Sequence, residues 1–446
     1  MHYNIWKQLL IFSLLCGMIT KSIGQKFSAP SGRIHDFEEK IRIDTFKIEV
    51  FGLQQKSNKK RVGLNQVCIN VLHNRTTDLK ISLVNPLGVS IWLTNRNGGG
   101  SGINYTSTCF TRSGFFGYIH QNENPFNGTF IPDGKFDELN KSGSPNGTWL
   151  LLVEDLAEGV SGMLTNVELS FGELNFKPLK KACTFENPKH CKCEKGKSTG
   201  DLLPDIVVLP TFTERQIFEF GEEPVHYRKQ LHIAVSLANI GNGPMEIKGD
   251  GRWYCDGSSI GVDSMTICGN GKYARQHIIQ KVYYKPKRKK ISHKEVTTGT
   301  NYYDARPGHT HFHVDDWVEF RLLKELETGG LDTISTGQKV SYCLFDSGTC
   351  NDQDDICKLG GKRYGIGNLP NYGLGNYLNC YSDFQGISVG GYDTYGMFYE
   401  GQYLQLPEDI TNGDYVLEVV FDPKNLFVES NKSNNSLRFP VHLVKQ

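Results

Sequence analysis

The run Arg306-Pro307-Gly308-His309-Thr310-His311-Phe312-His313-Val314-Asp315-Asp316-Trp317, continued by Val318-Glu319-Phe320-Arg321-Leu322-Leu323, organises the reading of the whole chain. In an extended strand successive side chains point to opposite faces, so His309, His311 and His313 share one face and Thr310 and Phe312 the other. Three imidazoles on one face hold a divalent transition metal and leave positions open for water or substrate. Imidazole suits copper, zinc, iron and nickel alike, so the spacing leaves the metal open. With 13 histidines in 446 residues, chance is a poor account of this cluster.

Outward from that run, strand-like segments such as Val416-Leu417-Glu418-Val419-Val420-Phe421 recur between Gly, Asn and Asp clusters, and long amphipathic helical patterns are scarce. The chain reads as mostly β, with room for two or three domains. A net charge of +1 gives no global bias toward nucleic acid. Lys7, the apolar run Leu9 to Ile19 and the small residues before Gln25 read as a signal peptide over residues 1–24. No later segment has the apolar length of a membrane span, so the expectation is a secreted, soluble protein.

Secretion favours disulfides. Once Cys16 leaves with the signal, eleven of the 12 cysteines remain, an odd number, and the leftover is expected near Cys183, Cys191 and Cys193. Asn74, Asn104, Asn127, Asn140, Asn146, Asn431 and Asn434 each head an N-x-Ser/Thr glycosylation triplet. Residues 45–175 form a first unit of period-2 strands broken by Gly, Pro and Asn turns, the pattern of a β-sandwich. Residues 176–201 are a basic, Cys-containing linker, read either as a contact for an acidic partner or as a solvated hinge. The basic run Lys285 to Lys290 is read as a solvated loop.

His73, Asp78, Leu79, Pro86, Gly88, Gly147, Thr148, Trp149, Asp155 and Gly162 match, in order, the pattern of the P domain of proprotein convertases. The first unit resembles that domain, which implies a jelly-roll-like sandwich with a binding or positioning role. Asp155 and Glu158 are read as a solvated turn, with calcium ligation as the alternative.

Residues 202–446 resemble the catalytic domain of the lysyl oxidase family. Five blocks carry the resemblance: Pro204-Asp205-Ile206-Val207; the histidine strand; Gly337 to Asp346; Gln385-Gly386-Ile387-Ser388 with Tyr392-Asp393-Thr394-Tyr395-Gly396; and Gly413 to Leu417 with Glu429, Asn431, Asn434 and Asn435. The resemblance implies a β-sandwich-based domain with long loops. It implies copper on His309, His311 and His313, and a self-made lysine tyrosylquinone built from Lys339 and Tyr395. The implied reaction consumes O2 and turns peptidyl lysine of an extracellular protein into its aldehyde, releasing ammonia and H2O2. Asp393, Asp315 and Asp316 are base candidates, the last two equally supports of imidazole orientation.

Asp205, Ile206, Glu429, Asn431, Asn434 and Asn435 match positions that bind calcium in the family; turn-capping is the alternative there. Against the family pattern, Gly308 takes the place of a cysteine, and Gly391 and Gly401 replace both halves of one disulfide. The resemblance implies Cys343–Cys350 for the small family loop, leaving Cys357 for Cys380. Cys255 with Cys268 is an added bridge, and Cys68 and Cys109 are further candidates. Two rival readings stand beside the oxidase of peptidyl lysine: a non-catalytic metal-binding or adhesion protein, and an oxidase of small primary amines. Oligomeric state is not legible.

Overall fold

The structure is a computed structural model. It describes residues 24–444 except 39–41, 55–60, 100–101, 142, 175–181, 219–225, 228, 262–264, 288–289, 307–308, 338–340 and 381. Residues 1–23 of the expected signal peptide, residues 288–289 of the basic run and Lys339 therefore lie outside the described residues. The chain is mostly β, as its alternating patterns indicate.

The first unit is two packed sheets. Leu79-Lys80-Ile81-Ser82-Leu83-Val84 pairs antiparallel with Gly147–Asp155, which pairs in turn with Ile43–Val50. The facing sheet is built on Val62–Leu72 and Gly162–Glu173. Alternation puts Val67, Ile69 and Val71 of one sheet against Ile81, Leu83 and Trp149 of the other, all buried in one apolar core. The facing sheet also recruits Gln25–Ala29 and Gly32–Ile34, so strands before residue 45 complete the sandwich. Cys68 and Cys109 stand directly opposite each other across adjacent strands and form a disulfide.

Asp155 does not sit in a solvated turn. Its side chain is buried and accepts a hydrogen bond from His73 Nε2 at 3.1 Å. Burial by itself lowers the imidazole pKa. The hydrogen bond and charge of Asp155, with the Arg75 and Val160 carbonyls, outweigh it and leave His73 raised.

Residues 182–202 are packed onto the second half. Cys183 and Cys191 are bridged, and with Cys193 and Leu202 they bury against Tyr283, Leu369 and Leu374. Lys192 N donates to Asn371 Oδ1 at 2.8 Å, and Lys285 Nζ reaches the Cys191 carbonyl at 2.6 Å. Cys193, buried, is the free thiol among the described residues.

In the second half, Trp317, Phe320, Phe421, Phe427 and Phe439 fill a core under the sheet Leu331–Thr336, Val318–Glu325, Gly413–Phe421, Ser436–Leu443. A second sheet runs Ser258–Gly261, Met245–Cys255, Arg275–Lys285, Ser292–Asp304 and ends on His311–Val314. A third places Gly391–Tyr395 between Val235–Asn239 and Gly348–Thr349. Among the described residues, no helix is long and apolar enough to cross a membrane.

The disulfides of this half correct the pairing that the resemblance implied. Cys255–Cys268 forms, but Cys343 pairs with Cys380 and Cys350 with Cys357. Backbone register decides this. Tyr342 bridges Val314, while Phe312 N reaches the Cys380 carbonyl at 3.4 Å, so one strand holds both residue 343 and residue 380. Cys350 is drawn away by its own N–H bond to the Gly390 carbonyl at 2.7 Å.

Candidate functional site

The strand that carries the histidines begins only at His311. Thr310 has a left-handed backbone, φ +45°, and His309 N closes a turn onto the Arg306 carbonyl at 3.1 Å. His309 thus enters by a turn and not by strand alternation, unlike the reading from spacing. All three rings nevertheless converge, with one nitrogen of each within 4.8 Å of the others. His313 Nε2 lies 2.8 Å from His311 Nε2 and 3.3 Å from His309 Nδ1.

The outward-facing nitrogens are each held. His309 Nε2 meets Glu400 Oε2 at 2.8 Å, His313 Nδ1 meets the Tyr302 hydroxyl at 3.4 Å, and His311 Nδ1 meets the His309 carbonyl. With their inward nitrogens crowded together and their outward ones oriented, the three rings form a group that could hold a metal ion. Register explains the support. Tyr302 stands opposite His313 and Asp304 opposite His311 on the neighbouring strand. Tyr302 is fixed by Ser341 Oγ at 2.8 Å and by the Arg275 guanidinium 4.0 Å above its ring.

Asp315 does not face the histidines' convergence point. It takes Arg275 Nε at 2.7 Å and Thr300 Oγ1 at 2.7 Å, so it supports the ring of Tyr302 through Arg275. Asp316 pairs with Lys424 at 3.0 Å. Asp304 lies 3.4 Å from His309 Nδ1, and its carboxyl is held below the usual range: Arg306 outweighs the effect of burial.

Tyr395 is buried beside this cluster. Its hydroxyl donates to the Cys343 carbonyl, and its ring packs edge-on against Tyr342 with centroids 4.4 Å apart. Burial, with Asp393 nearby, pushes the Tyr395 phenol well above its usual pKa, and burial does the same to the Asp393 carboxyl. Lys339 lies outside the described residues, so its distance to Tyr395 is not part of this geometry. The flanking chain does reach the site: Ser341 touches Tyr302, and Cys343 touches Tyr395.

One small cavity, about 80 Å³, joins these groups. His309, His311, Phe345, Tyr395, Tyr399 and Glu400 line it from the second half, and Lys80, Trp92, Asn95, Arg96 and Leu156 from the sandwich. The two units are docked by Trp92 against Phe345 (4.8 Å), Tyr399 Oη to the Asn95 carbonyl (3.1 Å), and Tyr392 Oη to His120 Nε2 (3.0 Å). Lys135 Nζ adds an ion pair to Asp346 at 2.5 Å. Nothing in the spacing of Trp92 or Arg96 marked them as site residues, because the contacts there span about 250 to 300 positions of chain.

A second polar cluster joins Pro204-Asp205-Ile206 to the C-terminal strands. Asn434 Nδ2 donates to Asp205 Oδ1 at 2.9 Å, Ile206 N to Glu429 Oε2 at 3.3 Å, and Asn435 Nδ2 to Glu429 Oε1. Asn434 Oδ1 and Asn435 Oδ1 are buried without a donor. Burial raises the Asp205 carboxyl, and raises that of Glu429 to about 7. Two carboxylates and two buried, unpartnered amide oxygens make this cluster oxygen-rich, the ligand type that a hard cation takes. Asn431 is exposed, and its Oδ1 instead accepts from Ser433 N at 3.1 Å.

Comparison with known proteins agrees with these two halves. The lysyl oxidase family model matches residues 287–446, and the proprotein convertase P-domain model matches residues 63–171. Over 135 residues the chain is 33% identical to lysyl oxidase homolog 1 of Homo sapiens, covering 30% of this chain and 19% of that protein. Over 133 residues it is 30% identical to protein-lysine 6-oxidase of Homo sapiens (30% of this chain, 26% of that one). The match to the Sus scrofa protein is also 30% identical, over 30% of this chain and 44% of that one. The chain therefore spans less than half the length of these relatives. A serine protease structure from Aeromonas sobria aligns at 19% identity over 36% of this chain and 29% of that one, with a TM-score of 0.17, too low to argue from.

Proposed function

We propose that the chain is a secreted copper-dependent amine oxidase acting on the ε-amine of peptidyl lysine. The overall change is R–CH2–NH2 + O2 + H2O → R–CHO + NH3 + H2O2. The observation that carries this reading is that His309, His311 and buried Tyr395 line one cavity. His309 and His311 on the cavity wall, with His313 beside them, would hold copper. When bound, copper supplies the redox chemistry with O2 that makes lysine tyrosylquinone from Lys339 and Tyr395, and that group supplies the carbonyl that accepts the amine's electrons.

The chain's own residues do the rest. Glu400 and Tyr302 orient the His309 and His313 rings. Tyr342 and Tyr399 pin the Tyr395 ring edge-on, at 4.4 and 5.7 Å. Trp92 and Phe345 close the cavity against water, and the narrow space suits a slender aliphatic amine arm. Calcium on Asp205, Glu429, Asn434 and Asn435, with Ile206 alongside, ties the first strand of this half to its last. Sugars are placed at exposed Asn74, Asn127 and Asn431, since Asn140 and Asn146 already bridge backbone groups of Leu64 and Leu53.

The test is purified secreted protein reconstituted with copper and given a lysine peptide. Peptide-dependent H2O2 and an aldehyde product support the reading, and copper-loaded protein inert toward every lysine peptide and small amine counts against it. Aldehyde from small amines alone would shift the assignment to the small-amine reading.

A further inference from the structure

Arg96 is the unmatched charge in the cavity wall. It follows the sandwich strand Ser90–Asn95 in a left-handed conformation, φ +54°. Its Nε donates to the Thr77 carbonyl at 2.9 Å, and no carboxylate lies within 4.0 Å of its guanidinium among the described residues. The carboxylates whose charge reaches it are committed elsewhere. Asp78 pairs with Arg75 at 2.8 Å, Asp155 with His73 at 3.1 Å, and Glu400 with His309 at 2.8 Å. Lys80, the other cation of the wall, pairs with Glu154 at 3.1 Å.

Arg96 is half-buried, and burial pushes its pKa down against the opposing charges of Asp78, Glu400 and Asp155. Such a group stands ready for a carboxylate, which it binds through two parallel hydrogen bonds. The position is held rather than loose. Asn95 is fixed on both sides, its N–H on Asp133 Oδ2 at 2.8 Å and its carbonyl under the Tyr399 hydroxyl at 3.1 Å. Tyr399 in turn packs on Tyr395. The residue just before Arg96 is thereby clamped to the wall of the amine site.

We propose that Arg96, supplied by the N-terminal sandwich, is a specificity-determining residue that binds a carboxylate lying close to the reacting amine, so that the substrate is a lysine accompanied by an acidic group. The inference rests on the amine-site reading of His309 and Tyr395, and it gives the sandwich a part in substrate choice. Two sources offer the same chemistry: an Asp or Glu side chain next to lysine within a protein, and the α-carboxylate of a terminal or free lysine.

The experiment measures binding of fluorescent lysine peptides to copper-loaded full-length protein. One pair has Asp or Asn beside the lysine, and the other ends in lysine as free acid or amide. Wild type is expected to prefer the acidic member of one pair by about tenfold, or ~1.4 kcal/mol. Preference within the Asp/Asn pair assigns an internal acidic neighbour, and preference within the acid/amide pair a terminal carboxylate. Arg96→Gln should bring the ratio to about one, and Arg96→Lys should keep only part of it. Equal binding within both pairs by wild type, or a preference that survives Arg96→Gln, overturns the proposal. Should Arg96→Gln fail to fold, Arg96→Lys decides: an undiminished ratio overturns it and a several-fold loss supports it. Absence of turnover with the binding preference intact would remove the oxidase reading and leave Arg96 as the carboxylate-binding residue of a lysine-binding site.

Discussion

Replacing Tyr392 by Phe deletes one oxygen at the seam between the two halves of the protein. That hydroxyl sits 3.0 Å from His120 Nε2. On the other side of the ring, His120 Nδ1 lies 2.8 Å from Asp133 Oδ1, so Nδ1–H donates to the carboxylate and Nε2 is left to accept from the tyrosine. Asp133 Oδ2 also receives Asn95 N at 2.8 Å and Asn97 Nδ2 at 2.6 Å. Tyr392 and His120 are both buried, so the deletion strands a ring nitrogen away from water. The cost of an unsatisfied buried partner is about 1–3 kcal/mol, against about 1 kcal/mol for the bond alone. Tyr392→Phe and His120→Phe should therefore each destabilise, and the double variant should recover part of the sum, with a coupling of at least about 1 kcal/mol. Urea unfolding followed by tryptophan emission suits the measurement, because Trp92 lies in the seam against Phe345. Additivity within about 0.5 kcal/mol would refute the docked arrangement on which the shared cavity depends.

Three further outcomes follow from the geometry. Calcium should raise the melting temperature, with about 2.7 kcal/mol of stabilisation at a hundredfold excess over Kd, and Glu429→Gln should abolish the response; a melt indifferent to both chelator and calcium would leave turn-capping as the role of that cluster. His73 has a raised pKa in the fold, so its contribution is fully present below the ordinary 6.5 and is lost as pH rises through the raised value; melting scans from pH 6 upward should show the sandwich weakening, and a profile no steeper than that of His73→Gln would count against it. Tyr302→Phe frees the His313 ring from its hydroxyl partner and should weaken copper binding by about 10- to 100-fold, read by competition with a chelator, whereas unchanged affinity would show that Tyr302 does not orient that ligand.

Much of the fold was legible because strand patterns are local. Val67 to Val71 alternates between core and less buried positions in its sheet, and the apolar, β-branched run Val416 to Phe421 forms the strand its composition indicates. The histidine spacing pointed to a shared face, but Thr310 is left-handed and His309 arrives by a turn, a backbone detail that a period-2 pattern does not encode. Disulfide partners were misread because the choice depends on which strands lie beside residues 312–314, not on separation along the chain. Asp155 was misread for a related reason: an acidic residue before a glycine turn looks solvated until the histidine 82 positions away is seen to cover it. The inter-domain wall was least legible of all. Trp92 and Arg96 follow an ordinary strand pattern, and only packing against Phe345 and Tyr399 turns them toward the histidines' cavity.

Whether this cavity builds its own cofactor is read by peptide mass spectrometry of the copper-loaded, secreted protein. A covalent link between the peptides holding Lys339 and Tyr395, absent in Lys339→Ala, is the expected result. Both peptides running unmodified from protein shown to contain copper would contradict it.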